Sequence, residues 1–328
     1  MLSPFPTGFI VSRAAPLLPT NAVAGNGTFA DTDGTGLAAS IAGPMHMHFH
    51  SGSNTLYFST LGNRIRKMTV PGYVVSTLTA EAGNVSIQGV TVDASNTNVY
   101  YTLYNFDTST YTVRTVPTSG GSSSLIAGSI EGYVNATGAS ARFSRPSGIV
   151  INGAGNLIVS DAIPPSGGNR RIRQVTPGGV VTLYSGTGVA DTIDSVGDLT
   201  SAAYQGPGPM WVDPSGNIYV GDLGNGSRIR LINPTAVTVT TFAGGPFYQV
   251  VNSSNPLTAK FQSITGITQT PAGDMYIVDT DRIRKISTGG VVTTVTEVQS
   301  MQQVVAVSNT TLYVSSPSTR TIRIISLV

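Results

Sequence analysis

The chain has 328 residues, a formal net charge of +2, charged residues at only 10%, 38 glycines and no cysteine. So weak a global field gives no general attraction to nucleic acid or to an anionic membrane surface. Without cysteine there is no disulfide, thiolate metal site or cysteine nucleophile, and no apolar stretch reaches the length of a membrane span.

Residues 1–19 form an N-terminal extension outside any repeat. Pro4 and Pro6 precede a short apolar run with no basic residue before it, which does not match a secretory signal. From there on one phrase keeps returning. It reads Asn63-Arg64-Ile65-Arg66-Lys67, a weaker Thr112-Val113-Arg114-Thr115, Arg171-Ile172-Arg173-Gln174, Ser227-Arg228-Ile229-Arg230, Asp281-Arg282-Ile283-Arg284-Lys285 and Thr321-Ile322-Arg323-Ile324. The central apolar residues recur every ~40 to 60 positions, a period that suits four-stranded propeller blades with variable loops. The third copy spells out the content of a unit. Gly148-Ile149-Val150-Ile151, Leu157-Ile158-Val159-Ser160, the Arg-Ile-Arg strand and Val180-Val181-Thr182-Leu183-Tyr184 are short β-branched runs separated by Gly, Pro and Asn turns. No long window has helical periodicity, so the chain reads as all-β.

Six units are present, and the last stops on its third strand at Ile322–Val328. The missing fourth strand stands at the other end, in Thr20-Asn21-Ala22-Val23-Ala24-Gly25. Residues 20–25 should therefore pair with residues 320–327 and close the ring, hiding the edges that an open sheet must protect. The expected fold is one propeller domain over residues 20–328, six sheets sharing one continuous core.

The residues that carry a family likeness are Gly216-Asn217-Ile218-Tyr219-Val220-Gly221-Asp222, Gly273-Asp274-Met275-Tyr276-Ile277-Val278-Asp279 and Thr241-Phe242-Ala243-Gly244. The loops Gly25-Asn26-Gly27-Thr28-Phe29-Ala30-Asp31 and Gly138-Ala139-Ser140-Ala141-Arg142-Phe143 join them. With the Arg-Ile-Arg phrase, they resemble the NHL-repeat six-bladed β-propellers. Blade two departs from the pattern in lacking that phrase, and blade six in lacking the Asp. The resemblance implies the fold; similar propellers include RNA binders, protein-interaction modules and lyase or lactonase-like enzymes, so it implies no single function.

Three sets of residues are candidates for function. Arg66, Arg114, Arg173, Arg230, Arg284 and Arg323 repeat with the phrase, and most of the 18 Lys and Arg residues lie in or beside it. A phosphate-tracking ring would use them. The structural alternative pairs them with Asp161, Asp222 and Asp279 as ion pairs between blades, which leaves few cations for nucleic acid. The histidines all lie in Met45-His46-Met47-His48-Phe49-His50. Strand alternation places them on one face about 7 Å apart, a spacing at which two imidazoles can hold a zinc ion, with Met47 and Phe49 packing on the other. Asp93 and Asp213, level with His50, complete the one plausible ligand set. The equivalent entrances Gln88-Gly89, Ser147-Gly148, Gly208-Pro209, Thr265-Gly266 and Gln302-Gln303 supply no carboxylate or histidine. The third set is the face carrying the fourth-to-first and second-to-third strand connections, with Phe29, Tyr104, Phe106, Tyr133, Pro164-Pro165, Phe247 and Tyr248 as binding anchors and Phe143 and Phe261 as lids on the blades.

The surface vocabulary is Ser, Thr, Asn and Gly, with Asn-x-Ser/Thr triplets at Asn26, Asn84, Asn135, Asn225, Asn252 and Asn309. That leans toward an extracellular setting or the surface of a virus or phage particle. The expected function is a non-catalytic binding or structural module, without cofactor, that presents its loop face to a protein or glycan, alone or within a homo-oligomer or larger assembly. The alternative is a propeller hydrolase or lyase with a divalent metal such as zinc on His46, His48 and His50.

Overall fold

Each stretch of β-branched and aromatic residues between Gly, Pro and Asn turns pairs with the next, so the local outcome is a series of antiparallel meanders. The computed structural model describes residues 17–162, 168–297 and 299–327 and arranges them as six sheets of four or five antiparallel strands. The inner strands are Pro44–His50, Val85–Val92, Pro146–Ile151, Pro207–Val212, Ile264–Gln269 and Gln303–Ala306. Each touches the next and the last touches the first, which makes a closed six-bladed propeller. Among the described residues the helical segments are short 3₁₀ turns.

The ring closes where the truncated last repeat requires. Thr20–Ala24 runs antiparallel to Thr321–Ser326, with Thr20 opposite Ile325 and Ala24 opposite Ile322. This pairing covers the free edge of blade six. Blades one and four each gain a two-residue outer strand, Gly34–Thr35 and Ser195–Val196, on their fourth strands.

The interior departs from the expectation of one continuous core. Because every blade lies between two others, apolar side chains separate into six clusters, one per interblade wedge. The second strand of blade three, Leu157–Ala162, is buried at every position for this reason. Leu157 and Val159 point into the wedge shared with blade two, while Ile158 points into the wedge shared with blade four. A half-buried sheet would alternate apolar and polar; this strand alternates between two cores.

The inner strands approach so closely that backbone meets backbone. A Cβ on Gly148 would lie 2.2 Å from Gly208 O, and one on Gly89 would lie 2.2 Å from Ser147 O. A hydroxyl bolts each contact. Ser160 Oγ donates to Gly208 O (2.8 Å), Thr102 Oγ1 to Ser147 O (2.9 Å) and Ser315 Oγ to Met45 O (2.6 Å). Gly148→Ala should therefore overpack the wedge and destabilise by about 2 kcal/mol. Gly153→Ala, which meets no atom within 4 Å, serves as the control. Equal thermal midpoints for the two variants would refute the close-approach account.

Candidate functional site

The loop face is held by arginine. Arg66, Arg173, Arg230 and Arg284 are fully buried, although their third strands lie near the outside of each blade. Arg173 reaches Asp161 on the adjacent strand (3.1 Å), and Arg284 reaches Asp279 (3.0 Å). Arg230 lies 3.5 Å from Asp222. These pairs are within blades, not between them as the repeat suggested, because the Asp strand and the Arg strand are direct sheet partners. The link between blades comes from the remaining guanidinium donors, which take the loop entering the blade. Arg173 donates to Val134 O, Arg142 O and Asn135 Oδ1; Arg284 does so to Val251 O, Lys260 O and Asn252 Oδ1. Arg66 holds Asp31, Asp33 and Ser40 O in the same way, and Arg230 holds Asp194. The expected lids Phe143 and Phe261 are fully buried against these guanidinium groups, 5.3 Å from Arg173 and Arg284 respectively.

Blades two and six depart from the pattern, as their sequences do. Arg114 pairs with Glu81 at 3.4 Å, and Arg323 donates to Thr20 O and Oγ1 on the closing strand. Sequence reasoning missed Asp33, Asn135, Asp194 and Asn252, which occupy one equivalent position. Two of them had read as glycosylation triplets; their side-chain oxygens accept from arginine. Burial pushes the Asp161 carboxyl up to about 6, opposed by Asn169, Arg173 and the Ser144 amide. It stays ionised at neutral pH and needs its arginine. Arg173→Met should cost about 3–5 kcal/mol by stranding that charge, and hydrogen exchange should rise in residues 131–145. Asp161→Leu with Arg173→Met should recover part of the loss in chemical denaturation; an additive further loss would refute the pairing account.

The inner strands enclose a channel of about 1130 Å³ along the axis, whose lining runs from a loop-face mouth at His46, Gln88 and Gln302 to the opposite-face turns at Gly52, Gly153 and Pro214. All three histidines line it, and Met47 and Phe49 also pack into the wedge with blade six, as alternation implied. Their chemistry differs along the strand. His46, at the mouth, has an enclosed Nε2 with no hydrogen-bond partner. His48 places Nδ1 3.3 Å from Thr91 Oγ1 on blade two. At the far end, His50 Nδ1 accepts the Ser53 N–H (3.0 Å), so Nε2 carries the proton and donates to Ala94 O at 3.2 Å. His50 is a brace between blades one and two.

The two acids expected beside it are committed elsewhere. Asp93 accepts from Ser95 Oγ, Thr97 N and Asn98 N, and Asp213 from Ser215 N, Asn217 N and Asn217 Nδ2. Each caps the hairpin turn that follows its own strand. Among the described residues, no three His, Asp or Glu side chains converge into a metal-binding group. His46, His48, His50, Asp93 and Asp213 are thus not brought together as one ligand set.

The loop-face aromatics divide in two. Phe29 lies 5.4 Å from the Arg320 guanidinium, Tyr133 lies 4.3 Å from Arg171, and Phe247 lies 5.5 Å from Lys260 Nζ. These rings and Tyr248 are exposed on three separate loops, Phe247 and Tyr248 sharing one. Tyr104 and Phe106 instead meet, ring centroids 4.3 Å apart, beside the channel mouth. Pro164-Pro165 lies outside the described residues.

Burial pushes the imidazoles of His46 and His48 down to about 4, so both are neutral at pH 7. In the unfolded chain they titrate near 6.5. The unfolded state then binds more protons between these values, and stability falls as pH drops from about 6.5 toward 4. The loss should be about 3 kcal/mol per histidine. Thermal melts across that range should show it, and His46→Gln with His48→Gln should flatten the slope; an unchanged slope would refute the burial account.

No protein-family model matches the chain, and neither does any curated protein sequence. Solved structures do share its fold. A protein of unknown function from Bacteroides thetaiotaomicron is 18% identical with a TM-score of 0.67, over 94% of this chain and 75% of that one. An auxiliary nutrient binding protein from the same organism is 13% identical at 0.69, over 94% and 76%. A gluconolactonase from Xanthomonas campestris is 11% identical at 0.61, over 97% and 99%. At such identities the likeness shows the six-bladed propeller and nothing finer.

Proposed function

We infer that this chain is a binding propeller of the NHL type, which presents its loop face to a protein or glycan and carries out no chemistry of its own. The observation that carries the reading is the combination of exposed aromatic rings with loops clamped by buried arginine. Phe29, Phe106, Tyr133, Phe247 and Tyr248 stand exposed, and the clamps of Arg66, Arg173, Arg230 and Arg284 each end in a loop of the same face. Aromatic side chains on a rigid frame lose little entropy when they become contacts, which makes them efficient anchors. The repeat arginines are committed to carboxylates and carbonyls, which argues against a phosphate-tracking surface. The nutrient-binding neighbour accords with a ligand-holding role for such a scaffold. The Ser, Thr, Asn and Gly surface vocabulary favours an extracellular or virion-surface setting.

A metal-dependent hydrolase or lyase is the second reading. It is favoured by the unpartnered Nε2 of neutral His46 in the channel and by a gluconolactonase among the structural neighbours. Elemental mass spectrometry of natively purified protein, with a panel of lactones, esters and phosphodiesters, separates the two. The binding reading expects well under one metal per chain and no turnover. Stoichiometric metal that disappears in His46→Ala, His48→Ala, together with turnover, would establish the enzyme instead. In the positive direction, a photo-reactive residue at Phe247 should capture proteins or glycoconjugates that the same group at Val291, on the opposite face, does not. Equal capture at both positions would sink the loop-face assignment.

A further inference from the structure

We propose that the cleft between blades two and three, beside the channel mouth, is a saccharide-binding site. The inference rests on the loop-face reading and narrows it to one place and one ligand chemistry. Gln88, Tyr104, Phe106, Tyr111, Arg145 and Pro146 enclose about 280 Å³ there. That is near the lower edge of small-molecule sites, room for roughly a single sugar ring.

A sugar ring presents an apolar C–H face and a rim of hydroxyls that both donate and accept. The cleft matches both. Tyr104 is stacked on Tyr111, centroids 4.3 Å apart with planes within 8°, and Phe106 stands edge-on to Tyr104. Tyr111 is buried and holds the stack, while Phe106 is exposed at the rim. The aromatic wall is therefore ordered before a ligand arrives, which lowers the entropy lost on binding. Around it are the two phenol hydroxyls, which bond each other, the Arg145 guanidinium, which bonds Tyr111, and the Gln88 amide, whose Nε2 donates to Ser86 Oγ.

Arg145 is the unusual member. Its φ is +73°, a conformation that costs a side-chain-bearing residue energy and that the equivalent residue of blade one, Gly43 at φ +70°, adopts freely. Both precede the proline that opens an inner strand. Hydrogen-bonded to Tyr111 and lining the cavity, this arginine braces the aromatic stack at the edge of the cleft.

Gln88 also lines the axial channel, so cleft and channel adjoin at this residue. At the mouth, His46 Nε2, Thr265 Oγ1 and Gln303 Oε1 are enclosed and without hydrogen-bond partners, on three consecutive blades. Among the described residues the channel lining contains no Lys, Arg or Glu, and the one carboxylate there, Asp213, is occupied in its own turn. Neutral hydroxyls suit such a wall, as one group can satisfy an imidazole nitrogen, a hydroxyl or an amide oxygen. A second sugar unit would extend from the cleft into this mouth.

The test is an array of immobilised neutral and uronate-containing oligosaccharides, followed by calorimetric titration of the strongest binder in free form. Phe106→Ala should weaken binding at least tenfold without shifting the thermal midpoint, because Phe106 is exposed. Phe247→Ser with Tyr248→Ser should leave it unchanged. Gln303→Leu should weaken a disaccharide or longer probe more than a monosaccharide. Binding that survives Phe106→Ala but is lost in Phe247→Ser, Tyr248→Ser would overturn this site while keeping the loop-face reading. No saccharide bound at millimolar concentration would overturn the proposal outright, and the capture comparison between Phe247 and Val291 would then decide the broader reading by itself.

Discussion

A guanidinium removed from water must find a partner for nearly every donor it carries, and that requirement organises this propeller. In Arg173 it draws together the second strand of its own blade through Asp161, and the loop arriving from the previous blade through Val134, Asn135 and Arg142. A lysine could not make these contacts, because a single ammonium lacks the planar fork that spans two directions. The same arrangement in Arg66, Arg230 and Arg284 gives four blades the same anchored entry loop. Such buried pairs are poor evidence of net stability, since desolvation offsets much of their attraction. Their effect is geometric: they determine where loops of very different sequence begin and end.

Toward the axis a different constraint takes over. Six inner strands around a narrow channel bring backbones within contact, and glycine is required wherever the neighbour's carbonyl occupies the space of a Cβ. Gly89 and Gly148 satisfy this, with Thr102 and Ser160 hydroxyls closing the contact. Blades one, four and six break the rule at the equivalent position with His46, Pro209 and Gln303, and the polar ends of His46 and Gln303 stay unpartnered at the channel mouth. The bare positions build the ring; His46 and Gln303 give its mouth hydrogen-bonding character. Polar atoms without partners are costly, and within the channel lining His46, Thr265 and Gln303 at this mouth carry them.

Much of the fold was legible in the amino-acid sequence. The recurring Arg-Ile-Arg phrase counted the blades, the incomplete last copy located the closing strand, and Thr20 to Ala24 pairs with Ile325 to Ile322 as that count required. Period-2 geometry placed Met47 and Phe49 opposite the histidines. These features depend on local repetition, and local repetition is written directly in the chain. Phe143 and Phe261 were readable as lids for the same reason, since each stands at a fixed place before its inner strand.

The sites were legible only where they repeat. Which residues Arg173 would bind beyond Asp161 depended on the path of an irregular loop, so Asn135 read as a glycosylation triplet. Asp93 and Asp213 looked like ligands because their height on the strand was known, but whether a carboxylate turns toward the axis or caps its own hairpin is decided by backbone N–H groups that no spacing rule reveals. Arg145 was visible in principle, standing before Pro146 where Gly43 stands before Pro44, yet its meaning required the Tyr104, Phe106 and Tyr111 rings from another blade. By itself the sequence determined the architecture and its closure, because identical units demand identical partners. Only the tertiary structure decided which polar groups were spent on the scaffold and which were left facing a cavity, because that depends on contacts between segments far apart in the chain.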